Sequence, residues 1–271
     1  MGSGIRASAD ARRAHSGVVI TSRPARIATV AMVTLAVTAG VMTRGTDDTQ
    51  RPTTQVQQLA PYRNVAVTTT SMLSYKTATI AMVYHRISIY STPGHFLRYM
   101  SSRTPLGSLR TLLVTAKRSD GWLQVQMPVR PNGTRDWIRT SSVILNTTPM
   151  RIVVSRRYKT LTLLKAGVRV ARFPVAVGKP STPTPTGLFY IIDKIVTGQP
   201  GGAFGPYALG LSGYSNVLFS FDGGDGVVGI HGTNVASSVG HAVTHGCIRL
   251  YNRDVTKLYS KVWLGTPVVV H

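Results

Sequence analysis

The chain has 271 residues, enough for two modest domains and a tail, and 31 Lys and Arg against nine acidic residues give it a formal charge of +22. That excess implies an anionic partner, a wall polymer or a membrane surface, and not nucleic acid, because the cations are scattered and no zinc-finger or aromatic-interleaved basic motif accompanies them. All nine acids are Asp, which removes the paired-Glu chemistry of many glycosidases and the HExxH zinc peptidases.

Residues 1–26 carry Arg6, Arg12, Arg13, Arg23 and Arg26 against the single acid Asp10, and residues 27–43 contain no charge. Basic flank before apolar run is the order of an export signal with its N-terminus inside. Seventeen residues at about 1.5 Å each span roughly 26 Å, the short end of a bilayer crossing. The run serves either as an anchor or, with small residues at Val37, Thr38 and Ala39, as a cleaved signal. The expected location is therefore outside the cytoplasm, in the cell wall or periplasmic space, with residues 27–43 as the membrane tether. Residues 44–76, rich in Thr, Gln and Pro, read as a flexible linker.

Abundant Val, Thr and Ile favour a mainly β fold. From 77 to 148, short alternating stretches at 79–84, 87–90, 112–114, 122–126 and 137–139 predict strands, with Pro131, Asn132 and Gly133 marking a tight turn. Strands at this spacing suggest a small antiparallel barrel. Gly121 to Val125, Asn132-Gly133 and Asp136-Trp137-Ile138 resemble the bacterial Src-homology-like barrels found beside wall enzymes. That resemblance implies a wall- or peptide-binding accessory, while core packing is the alternative role for Trp122 and Trp137.

From 149 onward the strand signal sharpens, at 151–155, 160–164, 168–173, 188–192, 227–230 and 268–270, with Lys165, Ala166 and Gly167 closing a hairpin. Three prolines keep 180–187 non-helical, and the glycine-rich stretches 198–210 and 223–226 read as mobile loops. A helix is expected from Asn252 as N-cap, with Val255, Leu258, Tyr259 and Val262 on one face.

The only cysteine, Cys247, follows Gly246 and precedes that helix, whose N-terminus would favour a thiolate. A free thiol is only a few per cent ionised at neutral pH, so a nucleophilic role needs a base. His245 lies two residues before it and His231 sixteen before it; the residues alone permit either. A rival arrangement takes His231, His241, His245 and Cys247 as metal ligands of a zinc-dependent wall hydrolase, and a non-catalytic wall-binding scaffold is a third reading. No cofactor or metal is expected.

Pro183-Thr184-Pro185-Thr186-Gly187, His231-Gly232-Thr233 and Thr244-His245-Gly246-Cys247-Ile248-Arg249-Leu250 resemble the YkuD-type L,D-transpeptidases over residues 149–271. The resemblance implies a β-rich catalytic domain acting on peptidoglycan stem tetrapeptides, with Cys247 as nucleophile and His231 as general base. It further implies that the Gly232 carbonyl orients the imidazole and that Gly246 and Cys247 offer N–H groups to the oxyanion, with His245 shaping the site. Thr244, Arg249 and Tyr214 are candidate substrate contacts, Arg249 either binding a substrate carboxylate or pairing with Asp254. Water in place of an acceptor amine would make the enzyme an L,D-carboxypeptidase.

Overall fold

β-branched and aliphatic residues alternate with polar ones along most of the chain, and strands are the elements that result. The computed structural model describes residues 66–220 and 224–271. The basic N-terminus, the apolar run at 27–43 and the first part of the linker lie outside the described residues. Among the described residues no helix is long and apolar enough to cross a membrane.

The first sheet holds β1 (Thr69–Ser71), β2 (Ala78–Met82), β3 (Ile87–Thr92), β4 (His95–Met100), β5 (Thr111–Arg118), β6 (Trp122–Gln126), β7 (Arg135–Arg139) and β8 (Ile144–Thr148). Its strands pair antiparallel in the order β4-β3-β7-β6-β5-β2-β8, with β1 against β5. The outermost strands, β4 and β8, do not pair with each other, so the ladder is open. Strands β4 and β8 were not foreseen, and β1 forms inside the stretch read as linker. Trp122 is buried, its ring edge-on to Tyr90 at 4.8 Å and capped by Arg139 at 3.8 Å, which makes it a packing residue.

Next come β9 (Met150–Ser155), β10 (Thr160–Lys165), β11 (Val168–Pro174), β12 (Val177–Gly178), β13 (Gly187–Val196), β14 (Tyr207–Tyr214), β15 (Val227–His231), β16 (Ala242–Thr244), β17 (Ile248–Arg249), the helix α1 (Asn252–Tyr259) and β18 (Pro267–Val270). Eight of these strands form a sheet in the order β11-β10-β9-β18-β13-β14-β15-β17, and β12 pairs with β16. The β10–β11 hairpin turns through Ala166 and Gly167, at φ 51° and 84°, the left-handed pair a two-residue turn requires. Residues 207–210, read as loop for their glycines, instead belong to the central strand β14. A β-carbon on Gly210 would stand 3.2 Å from Asp193 Cβ on the neighbouring strand, a tight contact.

Leu209, Ile230, Ile248, Val255 and Leu258 meet in the core that α1 closes. The two sheets share contacts within one compact unit, Tyr62–His271. Tyr190 of β13 is fully buried in the core of the first sheet, and its hydroxyl donates to the Gln126 carbonyl at 2.9 Å. The helix begins at Asn252, but Tyr251 holds the N-cap position and no side chain caps it. Asn252 is used elsewhere.

Candidate active site

Strand register assembles the site. β15 and β17 run parallel, pairing Ile230 with Ile248 and His231 with Arg249. Ile230 and Ile248 face the core. Because side chains alternate along a strand, Gly229 and His231 of β15 lie on the opposite face together with Cys247 and Arg249. Cys247 thus sits level with Gly229 and diagonal to His231. Gly229 leaves that position bare, and its backbone makes a hydrogen bond to the thiol.

The His231 ring is held from both sides. Its Nδ1 lies 2.6 Å from the Gly232 carbonyl oxygen. A carbonyl can only accept, so Nδ1 carries the proton and Nε2 is left with a lone pair. The Phe204 ring meets the imidazole at 4.8 Å between centroids and 64° between planes. Asn252 fixes that arrangement: its Oδ1 accepts from the Thr233 N–H at 2.8 Å and its Nδ2 donates to the Pro200 carbonyl at 3.0 Å. The loop bearing Phe204 is thereby tied to the segment after His231. Side chains at Gly205 or Gly232 would collide with Asn252 Oδ1.

A short turn delivers the sulfur. Thr244 Oγ1 donates to the Cys247 carbonyl at 2.6 Å and accepts from the Gly246 N–H at 3.1 Å. Gly246 stands at φ 122°, a left-handed conformation costly to any other residue. Behind the turn, the proline-containing loop forms a buttress: Thr182 Oγ1 and the Lys179 N–H both donate to the Thr244 carbonyl, each at 3.0 Å.

Burial lowers the His231 pKa to about 4, opposed by the Gly232 hydrogen bond and assisted by the Arg249 charge. Burial also pushes the Cys247 thiol up, against the Gly229 hydrogen bond and Arg249. The helix expected to favour a thiolate, α1, starts five residues beyond the sulfur, and burial opposes that ionisation. Both shifts favour the uncharged imidazole and thiol over the ion pair.

Residues 149–270 match the family profile of the YkuD L,D-transpeptidase catalytic domain. The chain is 45% identical over 125 residues to the putative L,D-transpeptidase YkuD of Bacillus subtilis, a match covering 46% of this chain and 68% of that protein. It is 32% identical over 130 residues to the putative L,D-transpeptidase YqjB of the same organism, covering 44% and 69%. The chain belongs to the L,D-transpeptidase family. Among solved structures, a mutant of the Enterococcus faecium L,D-transpeptidase is 26% identical, with a TM-score of 0.34, covering 45% of this chain and 49% of that one. This chain thus spans about half the length of the Enterococcus protein.

Several residues expected at the candidate site stand differently from their sequence reading. Thr244 has no exposed surface and builds the cysteine turn rather than meeting a substrate. The Gly246 N–H is spent on Thr244 and is not free for an oxyanion. Tyr214 is engaged by the first sheet: its hydroxyl donates to the Pro128 carbonyl at 2.9 Å, and Arg130 covers its ring at 4.9 Å. Arg249 does not pair with Asp254, whose cationic neighbour is Arg253 at 3.7 Å. Arg249 Nε is buried with no partner among the described residues. His245 and His241 are exposed, and among the described residues no three His, Cys, Asp or Glu gather as metal ligands. The contribution of Phe204 was missed. Its glycine-rich surroundings signalled a loop, but nothing in the sequence showed that the loop folds back on His231.

Proposed function

We propose that the protein is a peptidoglycan L,D-transpeptidase working through a Cys247 thioester. His231 Nε2 takes the Cys247 proton as the sulfur attacks the carbonyl preceding the terminal D-Ala of a stem tetrapeptide. The C–N bond breaks, and D-Ala leaves with that proton on its amine. A neighbouring stem amine then attacks the thioester, its proton passes through His231, and the thiol is restored. The Cys247 N–H serves the oxyanion, since Gly246 is occupied. Arg249, whose buried Nε has no partner among the described residues, binds a substrate carboxylate.

The observation that carries this reading is the parallel β15–β17 register, which pairs His231 with Arg249, with Cys247 just before β17 and hydrogen-bonded by the Gly229 backbone. Family membership supports the reaction class. The apolar run at 27–43 and the charge of +22 support a membrane-tethered enzyme beside an anionic wall or membrane surface.

The test is incubation of the full chain with disaccharide tetrapeptide and analysis of the products by mass spectrometry. A cross-linked dimer with one D-Ala lost is expected. Tripeptide alone would make it an L,D-carboxypeptidase, and an unchanged tetrapeptide with folded protein would reject the proposal.

A further inference from the structure

The outer face of the first sheet carries a row of rings that neither core uses. Ile87, Ile89 and Ile138 point into the core of that sheet, so Tyr90 and Trp137, paired across β3 and β7, face outward. Phe96 on β4 pairs with Tyr90 and meets its ring edge-on at 6.1 Å. Leu97 is the extra residue of a bulge, since Arg98 pairs with Ile89 while Phe96 pairs with Tyr90. The bulge turns Tyr99 to the same side as Phe96, 4.9 Å away between centroids. Phe96, Leu97 and Tyr99 are all exposed.

Arginines stand over both ends of the row: Arg86 covers the Tyr99 ring at 3.8 Å, and Arg118 lies over Trp137 at 5.8 Å. The acids nearby are already engaged. Asp136 is buried and held by Arg98 at 3.1 Å, and Asp120 is held by Arg118 at 2.7 Å. Among the described residues Arg86 and Arg135 have no ion pair. Exposed apolar side chains thus stand beside uncompensated cations, and their complement is an anionic surface with an apolar interior. Phe96 and Leu97 offer no side-chain hydrogen bond, which suits acyl chains rather than a hydrated polymer. A second copy of this chain fits poorly, because two such faces repel and the bulged pairing of β4 spoils it as an edge for another strand.

The chain arrives at the same margin. Thr69 pairs with Arg118, and the Thr68 N–H donates to Ser119 Oγ at 3.1 Å. Residues 44–65, which separate this point from the apolar run at 27–43, span at most about 75 Å. A membrane tether at 27–43 would therefore hold the sheet near the bilayer by the margin that carries Arg118 and Trp137.

We propose that the outer face of the first sheet docks on the anionic outer surface of the membrane. Phe96, Leu97 and Tyr99 enter the headgroup region, and Arg86 and Arg135 meet lipid phosphates. The proposal goes beyond the catalytic reading and rests on residues 27–43 being a membrane tether. Tether and basic apolar patch then act as two signals, one holding the chain at the bilayer and the other fixing how the domain lies on it.

Quenching by lipids brominated along their acyl chains tests this on the full chain carrying Cys247→Ala. Leu97→Cys with a polarity-sensitive fluorophore reports the face. Val170→Cys on β11 with the same label is the control, the two positions being 45% and 49% exposed. The chain is reconstituted into vesicles of phosphatidylcholine alone or mixed equally with phosphatidylglycerol. Quenching is expected at position 97 in the mixed vesicles, and not at position 170 or in the neutral ones. Adding Arg86→Gln should lower the ratio of docked to free label about fivefold, and molar salt should remove the quenching. Equal quenching at the two positions, equal quenching in the two vesicles, or none at position 97 would overturn the proposal. A label at position 97 that responds only to soluble poly(glycerol phosphate) would assign the face to a wall polymer instead. Vesicle flotation in molar salt reads the tether separately: a chain left in solution rejects the tether, and quenching on added vesicles then decides the docking alone.

Discussion

Burial lowers the His231 pKa to about 4 and raises that of the Cys247 thiol, so in the proposed reaction the proton would leave the sulfur as it attacks and not before. The rate of Cys247 acylation should therefore stay level as pH falls through the ordinary histidine range and drop only near pH 4. An acid limb between 6 and 7 would contradict this. The same shift appears in stability. The unfolded histidine, with a pKa near 6.5, binds a proton that the folded one refuses, so the stability is fully present above about pH 6.5. It declines as pH falls toward 4, by about 3 kcal/mol over that window. Denaturant titrations at several pH values should show this slope in wild type and a flatter one in His231→Gln. Gly246 is constrained by its backbone, since a β-carbon there meets nothing closer than 3.8 Å. Gly246→Ala should cost about 1–3 kcal/mol of strain and slow Cys247 acylation through a displaced sulfur.

Loops from three parts of the chain converge on the sulfur and the imidazole, and their side-chain hydrogen bonds hold them together. Asn252 is the junction of two of them. Asn252→Ala removes the bonds to Thr233 and Pro200, so it should cost about 1–3 kcal/mol and release Phe204 from His231. The second effect is readable as a changed pH profile for acylation, and an unchanged profile would count against Phe204 as a positioning residue. The strands around the site were legible because their apolar residues alternate, and the Ala166-Gly167 turn because its residue types demand it. The Cys247 and His231 fragments were legible as a family pattern. Strand β14 was not, because Ala208 and Gly210 carry no strand signal of their own. Their small size answers to Asp193 and the site face, a tertiary requirement that local propensity does not contain. Asn252 was misread for a similar reason: its type suits an N-cap, and distant backbone groups claimed its side chain first.

Between the two sheets the contacts are buried and specific, with Tyr190 donating to the Gln126 carbonyl and Gln126 Nε2 donating to the Leu188 carbonyl at 2.6 Å. Asn132 reinforces them, accepting from the Tyr214 N–H at 2.9 Å. Residues 66–271 should therefore unfold in one cooperative transition, the same by fluorescence and by circular dichroism. Tyr190→Phe should lower its midpoint by the equivalent of about 1–2 kcal/mol. Two separated transitions would show that the sheets are independent. The central claim, however, concerns the sulfur. Intact-mass analysis of the full chain mixed with a stem tetrapeptide, quenched in acid before the acceptor reacts, tests it most directly. The account predicts one acyl group per chain, located on Cys247 by peptide mapping, with one equivalent of D-Ala released and neither seen in Cys247→Ala. Release of D-Ala by folded Cys247→Ala, or an acyl group on any other residue, would contradict it.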